Sequence, residues 1–581
     1  KGTPKILLTL LGVVAQSHRP ATLLTDNDFA VFQEFMNMSE DKSASLHSPP
    51  AREQSLAALE NATLDTLVVG AGINGAVAAA ALAGCGAKVG VVDRGDFAGG
   101  VSSHSSNLAW GGIKYLESGE WRLVRKLCRS RNRLMDAYPS TVREIRFFTS
   151  IGKGFRMWSI FVWLGALLYW FMGNCKMAAP RYLTPGKIRQ EAPVVAAEGV
   201  VGGLEYSDCY LYDNDSRFVF NFVRRAADAG GLAANYLAVE SLQWLSDQSC
   251  WCATLRDRVT DRVFSLHAKT IVNATGPNTD LLNESVGVAT EHRHVLSKGI
   301  HLIVDRVTDA AKVLTFFASD GRLFFVIPMG PKTCIGTTDT PVDDPSVGVT
   351  ATDRDFVLAN ANALLNLPKP LTSADVIAER VGVRPLAVAG DVGGRDWVQL
   401  SREHQIEVDS KRAFVSVFGG KLTDCLNVGD ELVSVMATLG VDVPNPDAQW
   451  YGESGAGCRA KFMARAEAMA LDKLTPPTAS EPLSIRFWRR YDRAAFDLLD
   501  DIASDITEAE HVLTGAEYTR AELRLIAKRE WIVELSDFMR RRSKVSQVVR
   551  REALLTDPGL EELATLLMGD SAMQQVAAFR A

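Results

Sequence analysis

Residues 66–93 open Thr66-Leu67-Val68-Val69-Gly70-Ala71-Gly72-Ile73-Asn74-Gly75, continue through an alanine-rich run to Leu82, and close on Ala87-Lys88-Val89-Gly90-Val91-Val92-Asp93. Leu67 to Val69 is an apolar strand that runs into three glycines. Ala76 to Leu82 is a small-residue helix able to pack closely on a sheet, and Val89 to Val92 is a second apolar strand ending in an acid. This is the dinucleotide fingerprint in its strand–turn–helix–strand setting. Gly70 makes the tight turn, Gly72 admits a pyrophosphate to the backbone, and Gly75 lets helix and strand approach. At the helix N-terminus, Ile73 and Asn74 offer free N–H groups and the positive dipole end to phosphates. Asp93 stands where a ribose hydroxyl binds.

Beyond Asp93 comes Arg94 and then a loop rich in Gly and Ser. Ser102, Ser103, Ser105, Ser106 and Asn107 give it small hydrogen-bonding groups that can wrap a dinucleotide. Thr270 to Gly276 is another apolar strand ending in a turn, at Ala274, Thr275 and Gly276. Phe414 to Thr423 is a third, with Gly420, Lys421, Leu422 and Thr423 placed to open a helix. Three separate segments converging on one nucleotide point to FAD rather than NAD, which usually needs one contiguous unit.

The chain of 581 residues has room for two or three domains with ample core. A formal net charge of −6 argues against nucleic acid as a partner. The nine cysteines include no Cys-x-x-Cys pair, which fits scattered reduced thiols and excludes a disulfide framework or zinc site. No metal site is expected. Asp213 to Asp215 reads as a helix cap with a charged first turn, and no Asp-x-Asp-x-Asp-Gly calcium loop occurs.

Met157 to Gly173 holds 17 residues without a charge, three Trp and one Tyr among them. A helix of that length is about 25 Å, at the lower edge for a membrane span. Lys153, Arg156 and Lys176 flank it, and Arg122, Arg125, Lys126, Arg129, Arg131 and Arg133 precede it. An aromatic apolar helix beside basic residues suggests docking on an anionic membrane surface. A buried core helix with solvated basic neighbours is the other reading. Residues 37–62 are polar and serine-rich and read as a linker or arm. Ile6 to Ala15 is too short to span a bilayer and reads as a targeting remnant or short anchor.

Further motifs carry a specific resemblance. They are Ser-Ser-His-Ser-Ser-Asn at 102–107, Gly-Gly-Ile-Lys-Tyr-Leu-Glu at 111–117, Val-Asn-Ala-Thr-Gly-Pro at 272–277, Lys-Gly-Ile-His at 298–301 and Ile-Gly-Thr-Thr-Asp at 335–339. Gly-Val-Arg-Pro-Leu at 382–386, Phe-Gly-Gly-Lys-Leu-Thr at 418–423 and Phe-Met-Arg-Arg-Arg-Ser at 538–543 complete the set. In order and spacing the chain resembles the membrane-bound, quinone-reducing, FAD-dependent glycerol-3-phosphate dehydrogenases. It departs at Val101, Trp110, Lys114, Asn278 and the Asp-Cys-Leu-Asn after Thr423, as a divergent branch would.

The resemblance implies an α/β fold. An FAD-binding Rossmann-like domain interleaves with a mixed or antiparallel-sheet substrate domain over 63–445, after an arm at 1–62 and before a helical domain at 446–581. The implied reaction oxidises sn-glycerol 3-phosphate to dihydroxyacetone phosphate and passes electrons to ubiquinone. His301 would accept the hydroxyl proton, Arg384, Arg402 and Lys421 would hold the phosphate, and Tyr115 and Lys114 would close the site. Lys114 keeps the charge of the family's Arg without its fork geometry. The implied location is the surface of the mitochondrial inner membrane, or of the cytoplasmic membrane in a bacterium, with a homodimer or respiratory assembly as possible partners. Two other functions are compatible: an FAD oxidase or dehydrogenase of another 2-hydroxy acid or an amino acid, and a catalytically weak accessory subunit.

Overall fold

The computed structural model describes residues 51–153, 159–196, 198–390 and 403–581. The apolar run at 6–15, most of the expected arm, Arg156 and Arg402 lie outside these residues.

The fingerprint strand Thr63–Val69 is central in an eight-stranded sheet. Strands Val89–Val92 and Val263–Asn273 flank it in parallel, with Val69 opposite both Val92 and Asn273. Phe414–Phe418 adds in parallel beyond Val263–Asn273. Val89–Val92 and Phe414–Phe418 are buried along their whole lengths, as strands covered on both faces must be. One face carries the helices Ile73–Gly84, Asp215–Asp228 and Cys425–Thr438. The parallel register brings the ends of all these strands to one edge of the sheet, where open α/β sheets bind ligands.

A second, mixed sheet of ten strands holds the substrate-side motifs. Its spine is an antiparallel pair, His292–Asp305 with Val376–Ala389, in which Ser297 faces Arg384, Gly299 faces Gly382 and His301 faces Arg380. Ile300, Leu302 and Val304 sit in the core beneath helix Ala351–Leu364. Strand alternation therefore turns Gly299 and His301 to the opposite face. A separate hydrophobic core, from Phe462 to Val576, builds the C-terminal helical domain. That domain is fastened to the nucleotide sheet by Arg542, which grips Asp96 with two hydrogen bonds of 2.7 and 2.8 Å.

Two expectations need correction. The end of the expected arm is not linker: Ala51–Leu59 is helical, Leu59 is fully buried, and Arg52 pairs with Asp257 at 2.5 Å. Apolar burial against the nucleotide sheet outweighs the polar composition of this stretch.

The apolar helix runs from Ser159 to Met172, 14 residues and about 21 Å. No helix among the described residues is long and apolar enough to cross a membrane.

The basic stretch before it divides by helical phase. Arg122, Arg125 and Arg129 are exposed. Arg131 turns inward to Asp208 at 2.7 Å, Lys126 pairs with Glu403 at 2.8 Å, and Arg133 pairs with Asp430 at 2.6 Å. The period of 3.6 residues puts neighbours in sequence on different faces.

Candidate active site

The fingerprint glycines do what backbone geometry demands. Gly70 has φ +94°, and a Cβ there would stand 2.7 Å from the carbonyl oxygen of Ala274; a Cβ on Gly75 would stand 1.8 Å from that of Gly70. Before Gly72, by contrast, a Cβ would meet only Ser102 Oγ, at 3.3 Å, and at Gly276 nothing within 4 Å. Space is thus kept open along the two turns where a pyrophosphate must approach.

The three nucleotide segments meet here. Ile73 N donates to Ser102 Oγ at 2.9 Å, and Asn74 Nδ2 donates to the Gly419 carbonyl at 2.9 Å. Gly419 and Gly420 take φ of +60° and +97° to bring that loop in. Asp93 accepts from Ala71 N at 2.8 Å and Gly95 N at 2.9 Å. Burial pushes its carboxyl up to about 6 against these hydrogen bonds. Thr275 donates to Asn273 Oδ1 at 2.7 Å, while Arg94 is exposed. Ile73 N, expected to be free, is thus already engaged by Ser102. The remaining groups fit a dinucleotide: open glycine turns, the N-terminus of the fingerprint helix and a carboxylate at the strand end.

The serine-rich loop divides its labour. Ser102 caps the fingerprint helix. Ser103 Oγ turns back to the Gly100 carbonyl at 3.0 Å, Ser105 N donates to Asp215 at 2.7 Å, and Asn107 is buried with φ +58°. Ser106 is half-buried on the same loop.

On the substrate side, His301 is 97% buried, and neither ring nitrogen has a partner among the described residues. Burial, then the charges of Arg380 and Arg384, hold its pKa well below the ordinary range, so the imidazole is neutral. Arg384 lies over Gly299, where a Cβ would come within 2.3 Å of Nη2, and donates to Thr337 Oγ1 at 3.1 Å. Lys421 Nζ donates to the Tyr115 hydroxyl at 2.8 Å. Trp110 packs against Tyr115, ring centroids 5.9 Å apart, and accepts from Thr423 Oγ1 at its carbonyl, 3.3 Å. Lys114 precedes Tyr115 on the turn Ile113–Leu116, and Leu422 packs on the nucleotide core.

Two arginines given no role in the sequence reading also stand in this region. Arg380 is fully buried and pairs with Asp215 at 2.7 Å. Strand alternation carried the signal, since Arg380, Gly382 and Arg384 share a face. Arg540, from the C-terminal domain, donates to the Ser103 carbonyl and lies 3.4 Å from His104 Nδ1. Nothing in its sequence neighbourhood shows this reach.

Residues 65–414 match the family model described as FAD dependent oxidoreductase. The chain belongs to the FAD dependent oxidoreductase family. Within it, the chain is 30% identical over 394 residues to the aerobic glycerol-3-phosphate dehydrogenase of Bacillus subtilis, covering 66% of this chain and 69% of that protein. It is 28% identical to the human mitochondrial glycerol-3-phosphate dehydrogenase, covering 71% of this chain and 59% of that one. The glycerol-3-phosphate dehydrogenase of Bacillus halodurans, solved with FAD, superposes with a TM-score of 0.67 at 25% identity, over 91% of this chain and 96% of that one. The family's cofactor is FAD, and the open glycine turns of this chain fit it.

Proposed function

We propose that this chain oxidises sn-glycerol 3-phosphate to dihydroxyacetone phosphate and passes the electrons to ubiquinone while docked on a membrane surface. One observation carries the substrate: Arg384, held by Thr337, stands close enough to the unpartnered His301 to help keep it neutral. A second cation, Lys421, is held on the Tyr115 hydroxyl. A phosphate dianion calls for clustered cations, and an arginine can bind it through two N–H groups at once. A secondary alcohol must lose its hydroxyl proton as its hydride departs, and an imidazole already neutral can take that proton at a ring nitrogen. The bound FAD supplies the hydride acceptor. Arg402 and Lys114 complete the proposed phosphate set.

The helix Ser159–Met172 supports the membrane reading. Phe161 is 60% exposed and Phe171 62%, with Ile160, Leu164 and Leu168 also exposed. Arg122, Arg125 and Arg129 add positive charge on the neighbouring helix. Apolar side chains set beside cations suit the boundary of an anionic bilayer, where a lipid-borne quinone is reached. The membrane of this reading is the mitochondrial inner membrane, or the cytoplasmic membrane in a bacterium; mitochondrial and bacterial relatives support either setting.

The test is anaerobic addition of sn-glycerol 3-phosphate to the flavin-loaded protein. Flavin absorbance near 450 nm should bleach within seconds and return on adding a short-chain ubiquinone. A flavin that stays oxidised overturns the substrate. One that bleaches but recovers only with oxygen overturns the acceptor.

A further inference from the structure

Two guanidinium groups meet at one carbonyl oxygen beside His301. Arg380 Nη2 donates to the Ser103 carbonyl at 3.1 Å, and Arg540 Nη2 donates to the same oxygen. Arg380 comes from the substrate sheet, directly across from His301. Arg540 comes from the C-terminal helical domain, 437 positions along the chain from Ser103. Only Asp215 offsets them among the described residues, and it is already engaged by Arg380 and by the backbone of Ser105 and Ser216. Arg380 Nε and Nη1 and Arg540 Nη1 are buried without a partner.

The next two arginines in the chain behave differently. Arg541 is paired with Asp96 and Asp537, and Arg542 with Asp96. Their charges are cancelled where they stand. Those of Arg380 and Arg540 are not, and a charge buried without compensation is costly. Such an excess is retained where a negative group arrives.

The loop they hold indicates which group. Ser102 is bonded to the start of the fingerprint helix, and Ser103, its neighbour, carries both guanidiniums. The loop starts at the pyrophosphate turn and Arg380 is directly across from His301, so the pair stands on the path from that turn to His301, along which the flavin end of the cofactor would lie. We propose that Arg380 and Arg540 form a buried cationic pole that balances the negative charge gained by the flavin on reduction, half of it delivered by the C-terminal domain. This rests on the FAD site and on His301 marking the reacting end of the cofactor, as proposed above, but not on the identity of the substrate or the acceptor. Burial and the neighbouring Arg380 also push the Arg540 guanidinium down from its usual value, as expected where like charges await a counter-charge.

The test uses the flavin-loaded full chain and sulfite, which adds reversibly to an oxidised flavin and leaves negative charge on its ring. Arg540→Gln should weaken sulfite binding at least tenfold. It should also lower the two-electron midpoint potential by about 30 mV, the equivalent of that factor. Arg540→Lys should stay within threefold of wild type. Asp215→Asn, which removes the offsetting carboxylate, should move both readouts the other way. Arg541→Gln should leave both unchanged while lowering the melting temperature. Sulfite affinity within twofold of wild type in Arg540→Gln overturns the proposal, as does a shift of the same sign in Asp215→Asn. If Arg540→Gln cannot be loaded with flavin, the sign of the Asp215→Asn shift decides. Sulfite needs no substrate, so a failure of the substrate reading would leave this result standing.

Discussion

Lys421 and Tyr115 are 306 positions apart and meet at 2.8 Å, the ammonium donating to the phenol and standing 4.0 Å from the centre of its ring. The same ammonium is 5.9 Å from the ring of Trp110. A flexible four-carbon side chain is thereby held in one place by a hydrogen bond and two aromatic faces, which reduces the entropy it must lose on binding an anion.

Removing the phenol oxygen should release it. A hydrogen bond to a charged group is worth about 1.5–3 kcal/mol, so Tyr115→Phe should raise KM for sn-glycerol 3-phosphate roughly tenfold or more. FAD content should not change. Steady-state kinetics checks this, and an unchanged KM would remove Lys421 from the phosphate set.

Gly299 tests Arg384 without touching it. A methyl group at 299 would stand 2.3 Å from Arg384 Nη2, the far end of a flexible side chain. The guanidinium can swing aside, so Gly299→Ala should fold with a melting temperature within a few degrees of wild type. Its KM should nevertheless rise at least tenfold, about 1.4 kcal/mol of lost binding. Equal kinetics in the two proteins would show that Arg384 does not bind substrate.

Asp93 should make cofactor binding depend on pH. Burial raises its carboxyl to about 6 in the cofactor-free protein. Ribose hydroxyls donate to a carboxylate, not to a neutral acid, so FAD favours the deprotonated form. Affinity should fall as pH drops through 6, by up to about tenfold per unit below it. Quenching of FAD fluorescence on titration with apoprotein at pH 5, 6 and 7 measures this. Asp93→Asn should bind weakly with a flat profile, and a flat profile in the wild type would refute the ribose assignment.

The exposed face of Ser159–Met172 should govern membrane binding alone. Phe161→Ser with Phe171→Ser removes two largely exposed rings and should leave turnover with a soluble dye unchanged. Burying one such ring is worth roughly 1.5–3 kcal/mol, so the pair should cut co-sedimentation with anionic vesicles at least tenfold. Undiminished vesicle binding would place the docking face elsewhere.

Much of this arrangement was legible in the chain itself. Gly70, Gly72 and Gly75 between two apolar strands announce a nucleotide turn, because only glycine tolerates the φ at 70 and the contact at 75. The apolar runs at 67–69, 89–92, 270–276 and 414–423 were visible as strands ending in a turn or an acid, and pairing in the sheet extends the first back to Thr63 and the third back to Val263. Other features were not legible. The inward turn of Arg131 to Asp208 was hidden in a basic stretch, since charge alone does not say which face of a helix is buried. The helix at 51–59 was hidden by its polar composition, because packing against a sheet far along the chain decides whether such a segment orders.

What the sequence determined by itself was local: turn geometry, strand and helix periods, and the chemical types of His301, Arg384 and Lys421. These follow from sterics and side-chain chemistry acting over a few residues. Only the tertiary structure decided which charges are cancelled. Three consecutive arginines, Arg540, Arg541 and Arg542, are identical as letters, yet two are neutralised by Asp96 and the third stands with Arg380 against one buried carboxylate. Coulomb energy depends on distance and on what surrounds a charge, and both are set by contacts hundreds of residues apart.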